Sequence, residues 1–391
     1  MYLQDQLLMA IPVALYAGFR IRALIGPKAL KNLSTALFAL VAAGYPVAET
    51  LSHGAGGRGI AFVTVLGYSC LPLLLYLIMA VVSADLAVVF LRLTRLVSRE
   101  TVRSRSFRNG RLAFVLAVPL LTVVYGAVNH RVLRVERYAI DVPRRSSALE
   151  GLTIVFMSDL HFRGTTSDRF LEELVAKVNA ETPDVILIGG DMLEGDRRDE
   201  DTGRFERAIR RMVSQYGTYG CPGNHERFNR DGSGGGFPDR AGIRILQDES
   251  VTIDSAFVLA GRKDARSRGR MPVADLVGTA RRDLPVVLLA HRPTGFDEAR
   301  RAGVDLMLSG HTHGGQIFPV DIVTRRQYDL NRGHLERDGA NLFVTSGVQG
   351  WGPPIRTVGA SEILVIRVSL RDRDRAGKPS TDPPGGLSRA D

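Results

Sequence analysis

The chain has 391 residues, more than one hydrophobic core normally supports, so we expect at least two structural units. Residues 1–150 hold 17 Lys and Arg against 7 Asp and Glu, whereas residues 151–391 hold 34 of each, so the whole net charge of +10 belongs to the first part. Because the second part is neutral, the net charge of the chain is no evidence for nucleic-acid binding, and we expect no nucleic-acid partner. Two cysteines are too few for a disulfide framework or a thiolate metal cluster.

Residues 1–130 are predicted to form a membrane region of about four helices. The strongest candidate span, Gly59 to Ala84, has 26 residues without a charge, and about 20 apolar residues cross a bilayer. Further spans are expected at Leu112 to Asn129, Asn32 to Ala48 and Gln6 to Phe19. The last segment is as short as a signal peptide, but it lacks a positive n-region and a cleavage site, which favours a membrane helix. Asp85 is interpreted as a helix-end residue at the interface rather than a functional intramembrane carboxylate.

The arginine distribution predicts how this region is oriented. Residues 20–31 carry four Lys and Arg and residues 92–111 carry seven arginines, whereas residues 49–58 carry only Arg58. The positive-inside rule therefore makes the first and third connections cytoplasmic. An integral protein of the cytoplasmic membrane with an extracytoplasmic second part is the predicted result, and it holds even if the first segment does not cross. Five arginines within residues 131–145 argue in the opposite direction.

The rest of the chain divides into three parts. Residues 131–150 are polar and are predicted to be a linker. Residues 151–370 carry alternating apolar and polar segments that indicate a folded α/β domain. Residues 371–391 are charged, rich in Pro and Gly and nearly without apolar residues, which predicts a disordered tail.

Polar side chains follow several short apolar runs of the second domain. The runs are Leu152 to Met157, Val185 to Ile188, Val286 to Leu289 and Val304 to Leu308. Such runs indicate buried strands, whose carboxyl ends can meet at one edge of a sheet. The polar residues that follow, with the Gly-Asn-His-Glu cluster, are Asp159, His161, Asp191, Asn224, His225, Glu226, His291, His311 and His313. Clustered His and Asp at strand ends predict a metal centre.

The ordered series Asp-x-His, Gly-Asp, Gly-Asn-His-Glu, His and Gly-His-Thr-His closely resembles the calcineurin-like metallophosphoesterases, over about residues 152–368. The resemblance implies an α/β fold in which a β-sandwich is flanked by helices, in four layers α/β/β/α, after the transmembrane helices. The segment Ser309 to Ile317, together with the membrane region, is similar to a subgroup of bacterial membrane-associated phosphoesterases. That subgroup includes enzymes that cleave lipid-linked pyrophosphates.

The same resemblance implies two divalent metal ions. The first ion would be held by Asp159, His161 and His313, the second by Asn224, His291 and His311, and Asp191 would bridge them. Nitrogen and oxygen ligands suit Mn, Fe or Zn without choosing among them. A hydroxide between the ions is the implied nucleophile on phosphorus.

The remaining polar residues receive other roles. By the resemblance, His225 stabilises charge or protonates the leaving oxygen, and Glu226 orients it. Arg163 is either a substrate-phosphate contact or a solvated loop arginine. Trp351 is either part of a pocket wall or a packed loop anchor. Glu194 occupies a position where the family often has Asp. This residue supports the metal ligands and is not one itself, so we expect only a small change in the contacts around them.

The leading hypothesis is a membrane-anchored phosphoesterase for a phosphomonoester, phosphodiester or pyrophosphate. Its partners would be a phosphoester substrate, for which a lipid-linked one is attractive because tethering raises local concentration, and membrane lipids. The alternative is a membrane receptor or scaffold whose domain binds a phosphorylated ligand without turnover, although every expected ligand and His225 are present. A transporter with a regulatory hydrolase domain is disfavoured because Asp85 is its only intramembrane charge. Cys221 is interpreted as a small buried hydrophobe rather than a reactive thiol.

Overall fold

The computed structural model describes residues 3–54, 58–143, 147–194, 199–226, 236–278 and 283–371. The predicted disordered tail, beyond Arg371, lies outside the described residues. The helices are α1 (Leu3–Leu24), α2 (Lys28–Gly54), α3 (Arg58–Leu93), α4 (Arg99–Arg103), α5 (Arg105–Arg131), α6 (Asp168–Ala180), α7 (Asp199–Arg210), α8 (Phe237–Ala241), α9 (Val273–Gly278), α10 (Phe296–Arg301) and α11 (Val320–Gln327). The strands are β1 (Leu133–Pro143), β2 (Gly151–Met157), β3 (Val185–Ile188), β4 (Thr218–Gly220), β5 (Ile243–Ile245), β6 (Glu249–Ile253), β7 (Phe257–Gly261), β8 (Val286–Leu289), β9 (Leu306–Ser309), β10 (Gly333–Arg337), β11 (Ala340–Val344) and β12 (Ser361–Arg371).

The N-terminal region consists mainly of long helices, and within the described residues two helical segments are long and apolar enough to cross a membrane. These are Phe62–Leu93 of α3 and Arg105–Arg131, the whole of α5. Only 28% and 22% of their most apolar windows are buried against the rest of the chain. A helix that is apolar on its outward faces is typical of a membrane span rather than of a surface helix in water. The predicted spans in α1 and α2 remain predictions.

Asp85 connects three of these helices. Its carboxylate accepts hydrogen bonds from the Tyr16 hydroxyl at 2.6 Å and from Arg20 Nε at 2.6 Å, and it pairs with Arg111. Its side chain is 14% exposed and lies well before Leu93, where α3 ends. The interpretation of Asp85 as a helix-end residue is therefore replaced by an inward-facing charge with two arginine partners, which is how intramembrane carboxylates are stabilised.

The second domain has two six-stranded sheets that pack face to face. The strand orders are β1-β12-β2-β3-β4-β5 and β10-β11-β9-β8-β7-β6. One apolar core lies between the sheets and includes Phe156 and Leu364 from the first and Leu289 and Phe343 from the second. Two further cores join the outer sheet faces to helices α6 to α8 and to α9 and α10. The predicted four-layer α/β/β/α architecture is confirmed.

The predicted linker, 131–150, is in large part a strand. All eleven residues of β1 pair in parallel with β12, from Leu133 opposite Ser361 to Pro143 opposite Arg371. Charged residues interrupt the apolar pattern because β1 is an edge strand with one partner, and edge strands tolerate exposed charge. Ile140 and Val142 still reach the core between the sheets. Only Val132 separates α5 from β1, so the membrane region continues directly into a sheet.

Candidate metal centre

The candidate site lies at the carboxyl ends of parallel strands from both sheets. Strands β2, β3 and β4 are parallel neighbours in the first sheet, and β8 and β9 are parallel neighbours in the second. The four predicted strands are confirmed within two residues, and β4, which precedes the Gly-Asn-His-Glu cluster, is an addition. Because parallel strands place their carboxyl ends at one edge, residues far apart in sequence reach one place.

The first group of side chains contains Asp159, His161 and His313. The Nε2 atoms of the two histidines lie 3.3 Å apart, and Asp159 Oδ1 lies 3.4 Å from His313 Nε2 and 3.8 Å from His161 Nε2. Among the described residues, Asp159 Oδ1 is buried and has no hydrogen-bond partner. A buried polar atom without a partner costs about 1–3 kcal/mol, more when it is charged. A cation between these three atoms would satisfy it.

The second group contains Asp191, His291 and His311, whose potential ligand atoms lie within 4.8 Å of one another. Asp191 Oδ2 is 3.1 Å from His291 Nε2. The same oxygen is 3.9 Å from His161 Nε2 and 3.9 Å from His225 Nε2. Asp191 therefore lies between the two groups.

The electrostatics of the site favour a bound cation. Burial, with help from Asp191, raises the pKa of Asp159 to about 6. Burial lowers the pKa of His161 to about 4 and that of His311 to about 3, so both imidazoles are neutral at pH 7 and can offer a lone pair. Burial also opposes charge on His291, but Asp191 outweighs it and raises that pKa to about 10. At pH 7 His291 is therefore charged and must release its Nε2 proton before it can bind a cation, whereas His161 and His311 are already neutral and Asp191 is already ionised, the forms that Mn, Fe and Zn sites use.

The backbone at the site adopts conformations that side chains rarely take. Positive φ angles occur at Asp159 (54°), His161 (39°), Asp191 (51°), His311 (70°) and His313 (51°). Such angles cost about 1–3 kcal/mol each for residues other than glycine and cluster at functional sites. At Gly310 of the Gly-His-Thr-His motif, glycine is required for space rather than for its backbone conformation, because a Cβ there would lie 2.2 Å from Asp159 Oδ2. The motif thus combines strained ligand candidates with a position that only glycine fits.

Comparison with known proteins identifies the family. A profile described as calcineurin-like phosphoesterase matches residues 152–315. An uncharacterized metallophosphoesterase of Campylobacter jejuni is 30% identical over 66% of this chain and 70% of its own length. The chain belongs to the calcineurin-like metallophosphoesterases. It is a phosphoester hydrolase, as the resemblance implied.

Two further relatives of this metallophosphoesterase carry membrane or lipid terms in their names. A transmembrane protein with metallophosphoesterase domain from Danio rerio is 31% identical over 70% of this chain and 67% of its own length. A UDP-2,3-diacylglucosamine pyrophosphatase of Chlamydia trachomatis is 25% identical over 66% of this chain and 95% of its own length.

An arginine that the sequence interpretation did not single out contacts two predicted ligands of the metallophosphoesterase site. Arg292 donates from Nη1 to His311 Nε2 at 2.8 Å and from Nη2 to Asn224 Oδ1 at 3.1 Å. Its Nε donates to the buried carboxylate of Asp264 at 2.8 Å. Arg292 therefore places a positive charge beside two side chains that are predicted to hold the second ion. Its only sequence signal is its place directly after His291.

His225 and Glu226 occupy different surroundings. The His225 side chain is 22% exposed, whereas those of His161 and His291 are fully buried. Glu226 accepts backbone N–H groups of Asp191 at 3.0 Å, Met192 at 2.7 Å and Gly223 at 2.5 Å. The contacts described for Glu226 thus hold the turn at Asp191, and its orientation of His225 remains a prediction.

Arg163 is not a solvated loop arginine, because its side chain is 14% exposed, and its contact with a substrate phosphate remains a prediction. It donates to the backbone oxygens of Gly350 and of Gly352, the latter at 2.7 Å, and lies 3.3 Å from Glu194. Glu194 Oε2 is in turn 3.8 Å from His161 Nδ1, which agrees with a supporting role behind that histidine. Trp351, held between these two glycines, is 53% exposed, so it is not a packed anchor.

Arg356 is a second arginine near the site that was not predicted from the sequence to have a role. Arg356 is completely buried and donates to the backbone oxygens of His313 at 2.8 Å and Gln349 at 3.1 Å. Burial lowers its pKa to about 10, which still leaves it charged at pH 7. It therefore positions the His313 backbone. Nothing in the surrounding sequence distinguishes it from a surface arginine.

Proposed function

We propose that this protein is a binuclear metal-dependent phosphoesterase of the cytoplasmic membrane. Asp159, His161 and His313 would hold one ion, Asn224, His291 and His311 the other, and Asp191 would bridge them. The position of Asp191 Oδ2 carries this proposal, because it lies within 4 Å of one imidazole nitrogen of each group, His161 Nε2 and His291 Nε2, and of His225 Nε2. When bound, two divalent ions would polarise the phosphoryl oxygens and lower the pKa of a water molecule toward about 7.

The chain's own residues support the ligands from behind. Glu226 holds the backbone around Asp191 through three amides, and Arg356 holds His313 through its carbonyl. The Nδ1 atom of His291 lies 2.7 Å from the Gly189 carbonyl, which directs its Nε2 toward Asp191. Such partners orient metal ligands and commonly change metal affinity or activity by about 10–100-fold when removed.

His225 is the candidate that acts on the substrate. Its backbone N–H donates to Asp191 Oδ1 at 2.8 Å, which ties it to the proposed bridge, while its imidazole is partly exposed. We infer that this imidazole faces the scissile phosphate and, when protonated, stabilises its charge or donates a proton to the leaving oxygen.

The proposed substrate is a phosphodiester or pyrophosphate carried by a lipid. Support comes from the apolar helices α3 and α5 and from the name of the Chlamydia trachomatis relative. The arginine-rich connections support an extracytoplasmic domain. A reporter fused after Asp391 tests this orientation: activity of a periplasm-dependent reporter supports it, and activity of a cytoplasm-dependent reporter contradicts it.

Activity profiling of the purified full chain, with metal content measured alongside, tests the function. Chromogenic monoesters and diesters and lipid-linked and nucleotide pyrophosphates would be compared with added Mn, Fe or Zn. Asp191→Asn should lower turnover by more than about 100-fold and reduce metal content, because a bridging ligand matters more than a residue behind one. Asp168→Asn is the matched control, since that side chain is 82% exposed. Two bound ions without hydrolysis of any substrate would contradict the proposal.

A further inference from the structure

Helix α11 of the metallophosphoesterase domain buries an acidic residue and exposes apolar ones. Asp321 is 7% exposed, whereas Val320 is 47%, Ile322 41% and Val323 62% exposed. A helix that faces water normally buries its apolar residues and exposes its acids. The inverted pattern indicates that the outer side of α11 does not face bulk water.

Other exposed apolar side chains lie beside α11. Among the described residues from Val132 onward, eight large apolar side chains are exposed, and five of them form what we call the apolar patch. The apolar patch consists of Phe318, Val320, Ile322, Val323 and Trp351. Gln316 joins its two segments, because its side chain accepts the Trp351 N–H at 3.0 Å and donates to the Trp351 carbonyl at 2.9 Å. Contiguous exposed apolar surface marks an interaction site.

The apolar patch is continuous with the membrane helices. Thr357 accepts the Phe318 N–H at 3.0 Å and lies 2.6 Å from the Tyr76 hydroxyl of α3. The neighbouring Arg356 N–H donates to the Gly126 carbonyl of α5 at 2.9 Å. The segment that anchors the apolar patch therefore touches both helices that are apolar enough to cross a membrane.

The charges around the apolar patch suit a lipid surface. Arg325 and Arg326 lie in the last turn of α11, and the Arg325 side chain is 67% exposed. Basic residues beside apolar side chains are typical of segments that lie in the bilayer interface, where each adds about 1 kcal/mol of attraction to anionic lipids. Tryptophan is enriched at the same depth.

We propose that the apolar patch inserts into the lipid head-group region next to α3 and α5 and holds the active site against the bilayer. The site lies close by, since His313 directly precedes the segment that carries Gln316, and Gln316 N donates to the His313 carbonyl at 3.0 Å. A phosphate near the head groups could then reach the metal centre without leaving the membrane. The inference rests on the proposed membrane placement and not on the proposed chemistry.

Trp351 is the only tryptophan of the chain, so its fluorescence reports on the apolar patch directly. The full-length protein would be placed in bilayers that contain phosphatidylglycerol and phosphatidylcholine brominated at shallow or deep acyl positions. Shallow bromines should reduce Trp351 emission by about half and deep bromines by less, as for an interfacial tryptophan. Free access of aqueous acrylamide without quenching by bromolipids would overturn the inference. A Trp351 emission that depends on protein concentration, together with crosslinks between chains, would instead show that the apolar patch contacts a second copy of the protein. That result would overturn the inference.

Matched variants separate this surface from the rest of the domain. The double variant Trp351→Phe, Val213→Trp moves the single tryptophan to position 213, outside the apolar patch, where the native valine is 69% exposed. It should be quenched by acrylamide and not by bromolipids. Val323→Asp should slow hydrolysis of a vesicle-borne phosphodiester by about tenfold while leaving a soluble chromogenic diester unaffected, because an acid is disfavoured at the interface. Equal slowing of both substrates would overturn the inference. If both enzymatic activities are absent from the start, the proposed function fails, and the fluorescence result still decides the placement.

Discussion

The hydroxyl of Tyr76 in α3 lies 2.6 Å from the hydroxyl of Thr357 in the metallophosphoesterase domain. Together with the Gly126 carbonyl of α5, which accepts the Arg356 N–H at 2.9 Å, this contact joins the membrane helices to the segment beside the site. Asn129 near the end of α5 adds a hydrogen bond from Nδ2 to the Arg356 carbonyl at 2.9 Å. The domain is therefore docked on the helices rather than tethered to them.

Gly126→Ala should weaken this docking. A Cβ at this position would lie 2.6 Å from Ile355 Cγ2 and 2.9 Å from Thr357 Cγ2, so both side chains must move. Overpacking of this kind costs about 1–3 kcal/mol. We expect a lower thermal midpoint in detergent and faster amide exchange in residues 355–359.

Gly110→Ala in the same helix is the matched control, because no atom lies within 4 Å of a Cβ there. It gains the same helix propensity, about 1 kcal/mol, without a clash. Equal behaviour of the two variants would show that the domain does not dock on α5.

His225→Ala should abolish turnover and leave the metal content near normal. The imidazole is the most exposed of those within 4 Å of Asp191, and its proposed role is proton donation or charge stabilisation rather than ligation. Elemental analysis beside a turnover assay checks both parts. Loss of one metal equivalent would mean that His225 is a ligand.

Arg292→Met should tighten binding of the second ion. The guanidinium contacts His311 Nε2 and Asn224 Oδ1, so its positive charge lies beside the place predicted for the second ion and repels a cation there. Removing one nearby positive charge should improve the dissociation constant by about tenfold, which calorimetry with Mn or Zn would measure. Arg300→Met, at a surface pair with Asp338, is the control and should change nothing. Weaker binding in Arg292→Met would mean that the arginine organises the ligands.

Cys221 should be unreactive in the folded protein. It is fully buried, and burial together with Glu226 raises the pKa of its thiol, so the reactive thiolate is scarce even at pH 9. In the Cys70→Ser variant, a disulfide thiol reagent should label Cys221 only after unfolding. Adding Val213→Cys to that variant supplies an exposed thiol that should react at once. Rapid labelling of Cys221 in the native state would contradict the burial.

The strands and the candidate ligands were predictable because each depends on local pattern. A four-residue apolar run such as Val185–Ile188 is short for a helix and rich in β-branched residues, which favours a buried strand, and a polar residue directly after it then lies at the end of that strand. The left-handed backbone at Asp159 and His311 was not predictable from local pattern, because residues other than glycine rarely adopt it. The edge strand β1 was also missed, because charged residues interrupt its alternation and only its pairing with β12 makes it a strand.

By itself, the sequence determined the family, the apolar helices and the set of residues that could hold metal, because these follow from residue type, order and local periodicity. Tertiary structure decided how the polar side chains are used. Glu226 is committed to backbone amides, Arg163 to the carbonyls around Trp351, and Arg292 to two candidate ligands. Each of these roles depends on which buried acceptor or donor lies within about 3 Å, a distance set by the packing of two sheets and not by the neighbouring residues.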